Sequence, residues 1–433
     1  MRRMVRVRVM TEDKRIEDQI EKRIENSGVN EPIRQKRVLV CPNAFKGCLT
    51  ALQAAEAIAR GVERASVTLA GGQFGTPMGL QTRDWQPVCL PLADGGDGTL
   101  ETLVAATGGT LHTVTVQDPL GRPVRAQWGR LGGDRRDTAA IEMAQASGIR
   151  LLRREEYAPE YTSTYGTGEL MLAAIEAGCT RLLLGIGGSA TNDGGGGMAR
   201  ALGLRLLDAQ GKELEPGGAA LARLAKIDRR EWLIPPTVTV VVACDVDNPL
   251  CGSEGASAVY GPQKGASPKT VVRLDAALQH YCEVIQEQLG IGVRDIPGAG
   301  AAGGLGAGLL AFCHASLQPG TEMMMDAVGF DRAAASCALI LTGEGRLDGQ
   351  TSRGKVVAGV AGRARQLGIP VIALVGSIEA GAEQTLRPTG LAAAFSLVEG
   401  PVTVEEAMDN STSLLANLAE RVMILLSLGL RSE

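Results

Sequence analysis

ALILTGEGRLDGQTSRGKVVAGVAGRARQLGIPVIALVG (338–376) decides the fold. ALILTGEG (338–345) is an apolar run entering a loop, and GKVVAGVAGRARQLG (354–368) has helical spacing. PVIALVG (370–376) is a second apolar run. Strand, helix, strand over this length is a βαβ unit, whose strands are parallel. The same rhythm opens the chain. RVLVCPNAFKG (37–47) is a buried strand running into a loop, residues 50–65 carry a helical apolar face, and QPVCLPLA (86–93) is another strand. Thr50 is the expected N-cap of that first helix.

The middle differs. TLHTVTVQD, RPVRAQWGRL and DTAAIEMA, within 110–144, alternate like antiparallel strands, with a DPLGRP turn between the first two. The α/β rhythm then returns in GTGELMLAAIEAG (helix), TRLLLGIGG (strand), GGMARALG (helix) and TVTVVVACDV (strand), and residues 268–290 read as helix. The expected fold class is α/β with two α/β domains. Residues 37–90 plus 290–433 form a doubly wound, Rossmann-like parallel-sheet domain. Residues 91–289 form an inserted mixed-sheet domain, and 1–36 a charged extension with 10 basic and 7 acidic residues. A cleft between the domains is the default ligand site.

Composition narrows the function. The chain has 433 residues, 44 Lys plus Arg, 48 Asp plus Glu and a net charge of −4. A mildly acidic chain lacks the basic surface that non-specific nucleic-acid binding requires. The sequence shows no membrane-length apolar run and no secretory signal pattern. Its nine cysteines include no CxxC pair, which fits reduced thiols in a cytoplasmic protein. Glycine stands out, at 57 residues against 3% aromatics.

The glycines gather beside acids. GIGGSATNDGGGGMA (185–199) takes a strand into a helix through a loop whose backbone N–H groups can converge on an anion. Gly187, Gly188, Ser189 and Thr191 are candidate phosphate contacts, Asn192 a substrate contact, and Asp193 the candidate general base. The bland alternative is a glycine-rich turn. PLADGGDGT (91–99) offers Asp94 and Asp97 as Mg²⁺ ligands, or Asp97 as a helix cap. ACDVDNPLCG (243–252) offers Asp245 as a second candidate base. LTGEGRLDGQTSRGK (341–355) places Glu344, Arg346, Asp348 and Lys355 on one loop. Lys46 and Lys264 add cations, although a lone lysine is more often a solvated surface residue.

Two motifs mislead. GAGAAG (298–303) matches GxGxxG, but a proline precedes it and no strand does, so it lacks the context of a dinucleotide site. The run that follows starts a tightly packed helix or lines a ligand, which makes Gly303 and Gly304 candidate nucleotide contacts. GQTSRGK (349–355) is a P-loop with Val356 where Ser or Thr must hold Mg²⁺. Anion-cradling glycines, acids and lysines without a Ser–His or Cys–His nucleophile fit phosphoryl transfer. A nicotinamide-dependent hydroxy-acid dehydrogenase and a non-enzymatic small-anion sensor are the competing classes.

The blocks CPNAFKGCLTA, PLADGGDGTLETL, TSTYGTGELM, GIGGSATNDGGGGM, ACDVDNPLCG, GPQKGA, GAGAAGGLGAGL and LTGEGRLDGQTSRGK together resemble the type-1 glycerate kinase family. They run in family order from about residue 37 to 380. The resemblance implies ATP-dependent phosphorylation of D-glycerate, with O2 as acceptor and 2-phosphoglycerate as product; a 3-phosphoglycerate product or a related small hydroxy acid is the alternative. It implies ATP and Mg²⁺ as cofactors and two α/β domains around a cleft. Small molecules would be the partners, of a monomer or homodimer. Lys46 falls on the family's first-loop lysine, a catalytic phosphate contact, while Asn43 and Ala44 stand where the family commonly has Asp and Ser. Arg346 would pair with the glycerate carboxylate.

Overall fold

The computed structural model describes residues 36–70, 85–96, 98–348, 355–398 and 400–429. The charged extension up to residue 35, Asp97 and the loop 349–354 lie outside them.

Five strands form one all-parallel sheet in the order Leu391–Ser396, Val371–Val375, Cys337–Thr342, Lys36–Val40, Trp85–Cys89. Helices cover both faces, so its strands are continuous apolar runs. Val38, Val40, Leu339, Leu341 and Leu374 face the helices Ala51–Ala70 and Ser411–Gly429. Leu39, Ile340, Val371 and Ala373 face Val356–Gln366 on the other side. Gly61 lets the first two helices touch, since a Cβ there would sit 2.3 Å from the Ala416 carbonyl oxygen. The first helix is capped as its sequence predicts. The Gln53 N–H donates to Thr50 Oγ1 (3.2 Å), and the Thr50 N–H donates to Gln53 Oε1 (2.9 Å). From Lys36–Val40 the chain winds one way to Trp85–Cys89; from Cys337–Thr342 it winds the other way. The topological switch point therefore lies between these two central strands, at the loops after Val40 and Thr342.

The second sheet is mixed. Ser316–Gln318, Thr239–Ala243, Arg181–Gly185 and Thr138–Glu142 are parallel, and the antiparallel strands Pro123–Arg130 and Thr110–Gln117 extend it. Ser316–Gln318 pairs with Val241–Ala243, and the helix Ala301–Cys313 packs into the same core. By hydrogen bonding this stretch belongs with the mixed sheet, whereas the sequence division put everything after 290 with the parallel one. A three-residue edge strand and a glycine-rich helix carry too little pattern to show that.

One apolar layer joins the sheets. Leu39 and Ile340 from the first and Ala140, Leu183 and Val241 from the second share a core with Leu100, Leu103 and Met323–Met325. These last belong to helices Thr99–Thr107 and Gly320–Val328, sandwiched between the sheets. The C-terminal edges of both parallel strand sets open onto a common cleft. No helix of the described residues is long and apolar enough to cross a membrane.

Candidate active site in the cleft between the sheets

Three cavities make up the cleft, of about 1050, 460 and 630 Å³, and Lys46 lines all of them. The loop after Val40 presents it. Cys41 N–H donates to the Leu341 carbonyl and Asn43 N–H to the Gly343 carbonyl, each at 2.8 Å, so the two switch-point loops run side by side. Asn43 turns its own Oδ1 onto the Ala44 N–H (2.7 Å). Lys46 is exposed and pairs with no carboxylate among the described residues.

The 630 Å³ cavity lies over the mixed sheet. Asp94, Gly187, Gly188, Ser189 and Asp245 line it together with Lys46. Gly96 N–H donates to Asp94 Oδ1 (3.2 Å) and Gly320 N–H to Asp245 Oδ1 (2.8 Å), which fixes both carboxylates. Desolvation in the cleft pushes the Asp245 carboxyl above the usual range; the Gly320 N–H works against this, and the nearby Asp94 carboxylate adds to it. Two carboxylates facing one cavity suit Mg²⁺, which takes one or two carboxylates plus substrate phosphates. Among the described residues no group of three or more His, Cys, Asp or Glu is placed to hold a metal ion, in this cavity or outside it. Asp97, the other metal candidate, lies outside the described residues.

The 460 Å³ cavity lies over the parallel sheet. Glu344, Arg346, Asp348 and Lys355 line it together. Lys355 Nζ lies 3.4 Å from Asp348 Oδ1, and Arg346 Nη2 lies 3.4 Å from Glu379 Oε2.

The glycine-rich loop divides. Gly187 and Gly188 are exposed and Ser189 half-buried, while Thr191, Asn192 and Asp193 are buried behind the cleft wall. Asp193 Oδ2 accepts from the Thr164 N–H (2.8 Å), Thr164 Oγ1 (2.9 Å) and the Gly197 N–H (3.1 Å); Oδ1 accepts from the Gly195 N–H (3.3 Å). Burial pushes its carboxyl up against these four donors. The candidate base is thus a brace for its own loop, lining none of the three cavities. Asn192 likewise points inward, its Nδ2 donating to Ser257 Oγ (2.9 Å). Its Oδ1 and Thr191 Oγ1 are buried without a partner.

Gly303 and Gly304 also stand behind the wall. With Ala302 they form a left-handed turn at φ 54, 70 and 86°. A Cβ on Gly303 would meet the Thr191 carbonyl oxygen at 1.9 Å, and one on Gly304 would meet Gly194 Cα at 2.9 Å. Backbone of the 191–194 loop fills the space a ligand would need. Lys264 is 2% exposed, and its Nζ donates to Ser189 Oγ (2.6 Å) and the Thr191 carbonyl (2.7 Å). It supports the loop from behind and does not project into the cleft.

Sequence reasoning overlooked several lining residues. Glu142 ends a mixed-sheet strand, and its Oε1 accepts the Leu100 N–H (2.9 Å), anchoring the helix that follows Asp94. Tyr260 and Gln263 precede Lys264 and line the cavity that Lys264 itself does not reach. Their position in YGPQKGA was the available signal. Phe45, Leu397 and Met408 carried none, being ordinary apolar residues far apart in sequence.

Comparison with known proteins gives this cleft its context. Residues 38–427 match the model of the glycerate kinase family. A glycerate kinase of Halalkalibacterium halodurans is 46% identical over 90% of this chain and 98% of its own length. The glycerate 2-kinase of Escherichia coli strain K12 is 42% identical over 92% of this chain and 99% of its own. The crystal structure of a protein assigned as glycerate kinase 2 from Salmonella typhimurium LT2 superposes with a TM-score of 0.80 at 42% identity. It covers 91% of this chain and 99% of that one. With the match running nearly end to end, in sequence and in fold alike, this chain belongs to the glycerate kinase family.

Proposed function

We propose that this chain transfers the γ-phosphoryl group of ATP to O2 of D-glycerate, giving 2-phosphoglycerate and ADP. The observation that carries the reading is the cavity whose lining brings together Lys46, Ser189, Asp94 and Asp245. Glycerate is a small anion with two hydroxyls. Lys46, the Ser189 hydroxyl and the exposed backbone of Gly187 and Gly188 supply cation and donors for its carboxylate or for the transferred phosphate.

Asp245 is the base in this scheme. Gly320 N–H holds its Oδ1, which leaves the other oxygen for the substrate. The O2 proton passes to that carboxylate, O2 forms its bond to Pγ, and the bond from Pγ to the β,γ-bridging oxygen breaks with its electron pair leaving on ADP. Asp94 would hold Mg²⁺, which neutralises phosphate charge when bound. Lys46 sits where the cavities meet and stabilises the equatorial charge of the phosphoryl group in flight.

Phosphorus NMR of the product from ATP, Mg²⁺ and D-glycerate tests the whole reading. The expected product is 2-phosphoglycerate. 3-Phosphoglycerate would reassign the acceptor oxygen, and unchanged ATP would remove the activity.

A further inference from the structure

We propose that the cavity over the parallel sheet is the purine-base site of the nucleotide, so that the cleft divides into a base pocket on that side and an acceptor pocket on the other. This rests on the phosphoryl-transfer reading above.

Six large apolar side chains line the cavity over the parallel sheet. On the parallel-sheet side Phe45 and Leu397 are buried, Met408 is half-buried, and Val398, Val402 and Val404 remain exposed at the rim. Glycerate has three carbons, each bearing oxygen, and nothing to bury against six apolar side chains. A purine has a flat, weakly polar face, and a cavity of about 460 Å³ is within the range of small-ligand sites. Solvent-exposed valines clustered on one rim are the kind of apolar surface that a ligand covers.

The charges are arranged to match. Lys46 and Asp94 line both this cavity and the acceptor cavity, so they mark the passage between them. A base held against the valines would send its phosphate chain past Arg346 and Lys355 to Lys46, with the γ-phosphoryl group arriving beside Asp94 and Asp245. The cavity also stands at the C-terminal edge of the parallel sheet by its topological switch point, where ligands of doubly wound sheets bind. The glycine loop at 187–189 is then left to the acceptor and the transferred phosphate, not the base.

The test uses the full chain and needs no turnover. ADP and inorganic tripolyphosphate, which has no base, are titrated calorimetrically into wild type, Val398→Asn and Val402→Asn. Both valines are exposed, so the variants fold as wild type. The expected result is at least ~5-fold weaker ADP binding in each variant with tripolyphosphate unchanged, the scale of losing part of one apolar contact. Photolabelling with 8-azido-ADP is expected to mark the 397–408 segment. Equal effects on both ligands, or label on 187–189 or 243–246, would overturn the assignment. A wild type that binds ADP with this pattern yet makes no phosphoglycerate would reject the glycerate reaction and leave the base site standing. A wild type that binds no ADP would remove both.

Discussion

The Lys264 ammonium lies 2.6 Å from the Ser189 hydroxyl oxygen, buried behind a residue that faces the cleft. While Lys264 is protonated it can only donate, so Ser189 Oγ accepts from it. The serine proton is thereby turned away from Lys264 and is available as a donor to an anion in the cavity. Lys264→Met is expected to raise KM for glycerate several-fold with a smaller change in kcat, and Ser189→Ala is expected to do the same. If Lys264 acts through Ser189, the double variant is no worse than Ser189→Ala alone. Additive losses in steady-state kinetics would show that the lysine acts elsewhere.

Lys264 also predicts a pH dependence of stability. Burial pushes its ammonium down to about 7 from an ordinary 10.5, with the Asp193 carboxylate opposing the fall. Between those values the unfolded chain binds more protons at this site than the folded one. This group therefore makes stability increase as pH rises through that window, and contributes no slope below it. Urea melts near both ends of the window should show the rise in wild type and its loss in Lys264→Met. Parallel curves for the two proteins would contradict it.

Asp193 and Asp245 separate cleanly by mutation. Asp193→Asn places an amide against four donors and should cost about 1–3 kcal/mol of stability. Asp245→Asn should leave thermal melting close to wild type and lower kcat at least ~10²-fold. A stable, fully folded Asp193→Asn protein with that kinetic loss, alongside an active Asp245→Asn, would return the base to Asp193.

The two cleft carboxylates are coupled, and the coupling has a sign. Asp94 helps to raise the Asp245 carboxyl. The acidic limb of kcat/KM should accordingly lie above the ordinary carboxylate range. In Asp94→Asn the remaining activity should fall away at lower pH than in wild type, because a neutral neighbour no longer resists ionisation of Asp245. An acidic limb that stays in place would break the link.

Gly303→Ala probes the wall itself. The new methyl group would meet the Thr191 carbonyl at 1.9 Å on a backbone with φ 70°. The expected loss is more than about 2 kcal/mol, read as a lower Tm or reduced soluble yield. A variant of normal stability would mean that the 191–194 loop can retreat, and the wall would not be rigid.

The alternation of apolar runs and helical faces was enough to read a doubly wound sheet and a mixed sheet from the chain alone, because strands buried on both faces have to be apolar throughout. Strand ends also pointed to residues that line the cleft: Lys46, Asp94, Ser189, Asp245, Glu344, Arg346, Asp348 and Lys355. Weak local patterns stayed hidden, as in LAAAFS (391–396), the outer strand of the parallel sheet, and the edge strand Ser316–Gln318. Tertiary structure alone decided which side of the wall each residue of GGSATND occupies. Those seven residues are all small or polar, so nothing in their order separates Ser189, which faces the cleft, from Asp193, which does not. The left-handed turn at 302–304 makes the choice, by laying its backbone against Thr191–Gly194 from more than a hundred residues away. Many of the glycines that look like a ligand cradle in sequence are there because two stretches of backbone must touch.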